Sequence, residues 1–341
     1  MSSSYIKIDE INHINAELSN YCNASCPMCA RFDSDQNLIE SVTNKSHTTL
    51  DDVKYRIGEK VIKNLKIFGS CGNLGDGTMN PQCFEIFEFV RSLNSKTKLT
   101  INTNGGARTP EFFSALAKIG VKVIFSIDGL EDTNHLYRRN VKWQKLISNV
   151  QAYISAGGQA RWEYLIFKHN QHQVTEAEGL SKKLGFYEFV RKTTERWNDF
   201  DSKGNWISRD SLRVDDYYLE KASTEFTTKY ANSQGFEIFE KKPEAVKKST
   251  RQIKCLSFTP KNVEIYIDAN GNVSPCCWMG DPSIHESKNI IKDYRKVNLR
   301  HTSLQEILEG EYFNEIWKGI QGLPQEYKLI TCENMCGVCN E

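Results

Sequence analysis

Short apolar, β-branched or aromatic runs recur through the first 200 residues, and longer stretches with apolar positions at helical spacing lie between them. The pattern predicts strands over 13–18, 65–69, 98–103, 121–127, 160–167 and 189–193. It predicts helices over 50–63, 83–93, 110–119, 143–156 and 173–184. Thr109 before Pro110 reads as a cap and first-turn proline, and Gly120 and Gly185 read as helix stops. Strands alternating with helices require a parallel sheet with helical crossovers, either an open doubly wound sheet or an incomplete barrel. In both, chemistry belongs just after the C-terminal ends of strands. The segments there are CNASCPMC, GSCGNLGDGTMNP, NTNGG, SIDG and KHN.

From about residue 195 to 254 the chain becomes charged and aromatic-dotted without a clear period, and is expected to be a linking segment with a helix over 211–230 or a surface excursion. VEIYIDANGNVSPCC then alternates Val263, Ile265 and Ile267 ahead of Asn270-Gly271, a hairpin signal. A helix over 303–320 places Leu304, Ile307, Leu308, Phe313, Ile316, Trp317 and Ile320 on roughly one side. The domain boundaries expected from this texture are 11–195, 196–252 and 253–341.

Composition narrows the function. The 341 residues carry 44 Lys+Arg against 43 Asp+Glu, a net charge of +1, so no basic field is present to hold a nucleic acid or an anionic membrane. The start, MSSSYIKIDE, lacks the charged and apolar regions of a signal peptide, and no run approaches a membrane span. A cytoplasmic location is expected, where eleven cysteines need a purpose other than disulfides. Nine of them cluster: Cys22, Cys26 and Cys29; Cys255, Cys276 and Cys277; Cys332, Cys336 and Cys339. Such clustering argues for metal.

The first group, C-x3-C-x2-C, lies on the loop leaving the first strand. A structural zinc site needs four ligands, and neither His13 nor His47 is placed to be the fourth. Three thiolates suit a four-iron cluster with one iron left open for a non-protein ligand. Here the sequence resembles the radical S-adenosylmethionine superfamily, whose hallmark is C-x3-C-x-aromatic-C after the first strand of a partial (β/α)6 barrel. CNASCPMC matches except that Met28 stands where the family has an aromatic residue beside the adenine.

The resemblance implies roles at other strand ends. Leu74-Gly75-Asp76-Gly77 corresponds to a Gly-Gly-Glu-Pro stretch, which would give Asp76 the amino group of the methionine moiety. Asn104 and Ser126 match polar residues facing the ribose or the carboxylate. Arg138 resembles the arginine that pairs with the carboxylate, with Arg139 as the competing choice. The implied chemistry is reductive cleavage of S-adenosylmethionine to a 5′-deoxyadenosyl radical that abstracts hydrogen from a substrate. A flavodoxin- or ferredoxin-type protein would be the electron donor.

The C-terminal cysteines resemble the single-cluster "twitch" form of the SPASM extension, which implies a second four-iron cluster on Cys255, Cys276, Cys336 and Cys339. Cys277 and Cys332 compete for these positions, and a four-cysteine zinc site is the alternative. Of the two remaining thiols, Cys83 begins a helix and is expected to be structural. Cys71 is a candidate hydrogen donor to a substrate radical, or a buried residue supporting its loop. Some 20 residues precede Cys22, with no peptide-recognition domain among them, which tilts the expected substrate toward a small molecule and its reaction toward dehydrogenation. A peptide substrate, as for a maturase or epimerase, is the alternative. A non-catalytic iron–sulfur carrier or scaffold is the opposing class, favoured by Asp76 and Met28.

Overall fold

Six parallel strands run side by side in chain order: β1 (His13–Ala16), β2 (Ile67–Ser70), β3 (Lys98–Thr103), β4 (Val121–Ser126), β5 (Ala160–Leu165) and β6 (Glu188–Lys192). The computed structural model describes residues 6–33, 35–194, 197–200, 206–208, 210–229, 252–280, 289–321, 329, 331–332 and 336–338. Crossovers run through helices Glu59–Asn64, Cys83–Leu93, Pro110–Lys118, Trp143–Ser155 and Val174–Leu184. The architecture is mixed α/β, one of the two arrangements that the alternation allows and the partial barrel that the family resemblance implies.

Alternate strand residues divide the sheet into two faces. Ile14, Leu99, Ile101, Val123, Phe125, Trp162 and Tyr164 are fully or almost fully buried, whereas Asn15, Thr100, Asn102, Ser126 and Glu163 between them are half-buried. One face therefore packs under the helices and the other is a polar interior. Trp162 also donates its indole N–H to the Ile127 carbonyl at 2.8 Å and packs on Phe186 and Phe189. Trp162→Ala should cost about 3–5 kcal/mol in urea unfolding, from lost burial and a residual cavity. A loss below ~1 kcal/mol would mean that this layer is not the core.

Helix ends follow local chemistry. Gly120 and Gly185 adopt φ of +73° and +90°, the left-handed stop predicted for them. Thr109 and Pro110 open their helix as expected, although the Thr109 side chain makes no capping bond. The helix predicted over 50–63 is instead a π-helical stretch, Asp52–Gly58, followed by Glu59–Asn64, with Gly58 at φ +90° between them.

Two further predicted helices need correction. The segment over 211–230 begins as an antiparallel hairpin, Ser211–Val214 against Tyr217–Glu220, before the short helix Thr224–Lys229. Its period is two: Leu212, Val214 and Leu219 are buried, and Asp215 turns the chain at φ +51°. The helix over 303–320 is two helices, Leu304–Glu309 and Glu311–Ile320, broken at Gly310, which is extended at ψ 169°. Ser303 and Glu306 form a capping box on the first.

The Asn270-Gly271 hairpin joins Asn262–Ile267 to Val273–Ser274, with Gly271 at φ +91°. Its first strand pairs in parallel with β1, from His13↔Glu264 to Ala16↔Ile267. The cysteine-rich C-terminal segment thus extends the barrel sheet beyond β1. No helix among the described residues is long and apolar enough to cross a membrane.

Candidate active site

The three loops that leave β1, β2 and β3 are locked together at the C-terminal edge of the sheet. The Asp76 N–H donates to the Tyr21 carbonyl at 2.9 Å. A Cβ on Gly75 would lie 2.0 Å from the Ser19 oxygen, so only glycine permits this approach. Asp76 is 3% exposed and its carboxylate is saturated. Oδ1 accepts from the Thr78 N–H and hydroxyl at 3.0 and 2.7 Å. Oδ2 accepts from the Thr103 hydroxyl, the Asn104 N–H and Asn104 Nδ2 at 2.8, 2.9 and 2.8 Å. Asn104 in turn exchanges hydrogen bonds with the Asn23 side chain and reaches Cys22 Sγ at 3.5 Å. Asp76 is therefore linked to the cysteine loop through Asn104.

Cys22, Cys26 and Cys29 share one loop, closed by the Cys29 N–H to the Cys26 carbonyl at 3.1 Å. Burial pushes the Cys22 thiol far above its ordinary value, and Asp76, Cys26 and Cys29 add to the rise. Cys26 is pushed up to about 11 by burial, with Arg138 opposing. Three thiolates in this loop are thus costly without a compensating positive core. An iron cluster supplies that charge and gives each thiolate its own iron, so the donor set fits one.

The neighbouring arginines point in different directions, Arg138 toward the cysteine loop and Arg139 toward the hairpin. Arg138 Nε donates to Asp128 Oδ2 at 2.5 Å and its Nη1 faces Cys26 Sγ at 3.7 Å. Arg139 points outward to Asp215 of the hairpin. Burial works against the Arg138 charge, but Asp128 and Cys26 outweigh it and hold the guanidinium protonated. Asp128 is fully buried and its carboxyl is raised by that burial, with Arg138 and the Leu165 N–H, at 2.6 Å, opposing the rise. Met28 is buried against the core beneath the loop, and Ser126 ends β4 half-buried, opposite Glu163. A cavity of about 270 Å³ opens beside Asn23, Gly106 and Lys145. It touches none of Met28, Ser126 or Arg138, so it flanks the site rather than forming it.

At the C-terminal cysteines, Cys255 hydrogen-bonds Cys336, which raises Cys255 and holds Cys336 toward thiolate, at about 6. The backbone supports this pairing, since Lys254 N–H donates to the Cys336 carbonyl at 2.9 Å and Gln252–Ile253 pairs with Gly337–Val338. Cys276 faces Cys255 closely enough to raise it further, and its own thiol is pushed up to about 12 by burial. Cys277 is bonded by the Asn73 side chain. Cys332 is buried in the core, and Cys339 lies outside the described residues.

Cys71 donates to Glu17 Oε1 at 2.9 Å, while Cys83 is fully buried at its helix start. Glu17, Asn23 and Asp128 were not singled out by sequence. The available signal was position, since each interrupts an apolar run or sits in a polar strand-end loop.

The sequence-family model described as the Radical SAM superfamily matches residues 16–173, and the SPASM model, an iron-sulfur cluster-binding domain, matches residues 255–340. No curated protein matches the chain by sequence. The crystal structure of SuiB from Streptococcus suis is similar at 15% identity and TM-score 0.58, over 93% of this chain and 69% of that one. SuiB bound to its precursor peptide SuiA gives 15% and 0.57, over 93% and 68%. Native anSMEcpe with bound AdoMet and Cp18Cys peptide gives 14% and 0.57, over 96% and 88%. At these identities the likeness is one of fold.

Proposed function

We propose that this chain, whose residues 16–173 match the Radical SAM superfamily model and 255–340 the SPASM model, is an enzyme that opens a substrate C–H bond at the C-terminal mouth of its partial barrel. Cys22, Cys26 and Cys29 would hold one four-iron cluster, and Cys255, Cys276 and Cys336 with Cys339 a second. When bound, the first cluster and S-adenosylmethionine supply a 5′-deoxyadenosyl radical. The observation that carries this reading is the convergence of three strand-end loops on the cysteine triplet, with Asn104 on Cys22 and Arg138 on Cys26.

The chain's own residues divide the remaining work. Arg138 keeps its charge against Asp128 and retains donors beyond those two contacts, enough to take the methionine carboxylate in a fork. Asn104 is held in one orientation by Asp76, Asn23 and the Gly106 N–H on its Oδ1, so a contact with the ribose or the carboxylate would displace one of these bonds. Ser126 and Met28 border the same end of the sheet, where Met28 would lie beside the adenine if the family resemblance holds for this loop. Asp76 serves by orientation, because five donors already occupy its carboxylate. Cys71 follows β2 at the same end of the sheet and is the hydrogen-donor candidate.

Dehydrogenation of a small molecule in the cytoplasm is the substrate reading, with the second cluster as electron acceptor and a flavodoxin or ferredoxin as donor. A peptide substrate is the second reading, favoured by the peptides bound in the SuiB and anSMEcpe structures. Anaerobically reconstituted protein should bind about eight irons, in two four-iron clusters. It should form 5′-deoxyadenosine when given S-adenosylmethionine and a reductant. Iron near half that value without the cleavage product would sink both the second cluster and the enzyme. Deuterium transfer from a candidate substrate into 5′-deoxyadenosine would separate the two substrate readings.

A further inference from the structure

Adjacent parallel strands bring a carboxyl group and a thiol together at the mouth of the barrel. Glu17 follows β1 and Cys71 follows β2, and these strands pair with Asn15 opposite Gly69. Glu17 is 1% exposed, and Cys71 beside it is half-buried. Cys71 Sγ stands 2.9 Å from Glu17 Oε1, and the Asn73 N–H donates to the same oxygen at 2.7 Å. Oε1 is therefore anchored twice. Oε2 is fully buried and meets no donor at hydrogen-bonding geometry, although the Tyr266 hydroxyl and Leu74 N–H lie near enough to favour its charge.

The groups around this pair are themselves acids. Tyr266, from the strand beside β1, and Cys277, from the C-terminal segment, both feel Glu17 and Cys71 as like charges. A cluster of this kind supports at most one negative charge, and a carboxyl takes it before a thiol or a phenol because it is intrinsically the stronger acid. Burial raises Glu17 to about 7 and Cys71 well above an ordinary thiol, with Glu17 adding to the rise at Cys71.

We propose that Glu17 is a positioning residue that keeps Cys71 as a neutral, hydrogen-bearing thiol at the mouth of the barrel, so that this side chain meets a substrate as S–H and never as a thiolate nucleophile or cluster ligand. The inference rests on the reading that the mouth holds the substrate. A purely structural role would be met equally by glutamine, whose Oε1 accepts the same two hydrogen bonds. Glu17→Gln therefore isolates the charge.

The test is anaerobic alkylation of the reconstituted holoenzyme by iodoacetamide between about pH 6 and about pH 10, with Cys71 followed by peptide mass spectrometry; the thiolate is the reactive form. In the wild type, Cys71 should still be gaining reactivity at the top of that range. In Glu17→Gln the rise should move to lower pH by about one unit, about tenfold faster alkylation at a fixed pH, while fully buried Cys83 stays protected. A wild-type midpoint near the ordinary thiol value of about 8.5, or identical profiles in the two proteins, overturns the proposal. If Glu17→Gln loosens the fold, Cys83 reacts as well at every pH, and the wild-type profile decides alone. Wild-type protein that shows the shifted Cys71 profile but forms no 5′-deoxyadenosine would contradict the enzyme reading and leave the pair intact. The cleavage product with an ordinary Cys71 profile would do the reverse.

Discussion

With Cys22, Cys26 and Cys29 all replaced by Ala, the reconstituted protein should bind about four irons instead of about eight and form no 5′-deoxyadenosine above background. The effect should be total because all three proposed ligands come from one loop after β1. The second set is separate: Cys255 and Cys336 lie on segments joined by the Gln252–Ile253 and Gly337–Val338 pairing, and Cys276 follows the Asn270-Gly271 hairpin. The remaining iron should therefore give the spectrum of an intact four-iron cluster. The fold should persist as well. Cys22 and Cys29 are only half-buried, and the loop is tied down by backbone bonds such as Ser25 N–H to the Arg139 carbonyl. Surviving cleavage would refute the ligand assignment, and complete loss of iron would mean that the two sites do not form independently.

The barrel was legible where periodicity and chain punctuation agreed. β3 and the Cys83–Leu93 helix lie over the predicted spans, because continuous apolar alternation and helical spacing leave little freedom in where such elements begin. The hairpin at Ser211–Glu220 was misread because its turn is an Asp215-Asp216 pair without glycine, and four-residue strands carry too few apolar positions to show a period of two. The break at Gly310 is hidden in the sequence by apolar residues that continue in phase on both sides. In the site, the cysteine triplet was visible because its ligands are close in sequence. The Arg138 partner Asp128 is ten residues away, and Glu17 meets Cys71 from 54 residues away. Such pairings depend on which strands are neighbours, and spacing along the chain does not encode that.

Asp76 separates two accounts of the site. If its carboxylate grips the amino group of S-adenosylmethionine, as the family resemblance implies, then Asp76→Glu should restore the usual residue and retain cleavage. If it works by orienting Asn104, the longer side chain should fail. The geometry favours failure. Asp76 is enclosed between Gly75 and Gly77, where an added Cβ would meet Ser19 O at 2.0 Å and Ser70 Oγ at 2.7 Å, so the backbone has no room to retreat. An extra methylene drives the carboxylate past Thr103 and Asn104, and the Asn104–Cys22 contact moves with it. A displacement of about 1 Å at a catalytic constellation costs about 10²-fold in rate, so both Asp76→Glu and Asp76→Ala should lower 5′-deoxyadenosine formation by about that factor. They should differ in stability. Asp76→Ala leaves the buried Thr78 and Asn104 N–H groups without acceptors, at about 1–3 kcal/mol for each, and should unfold at markedly lower urea. Asp76→Glu with wild-type cleavage would restore the direct amino-group contact and remove the orienting role assigned to Asp76.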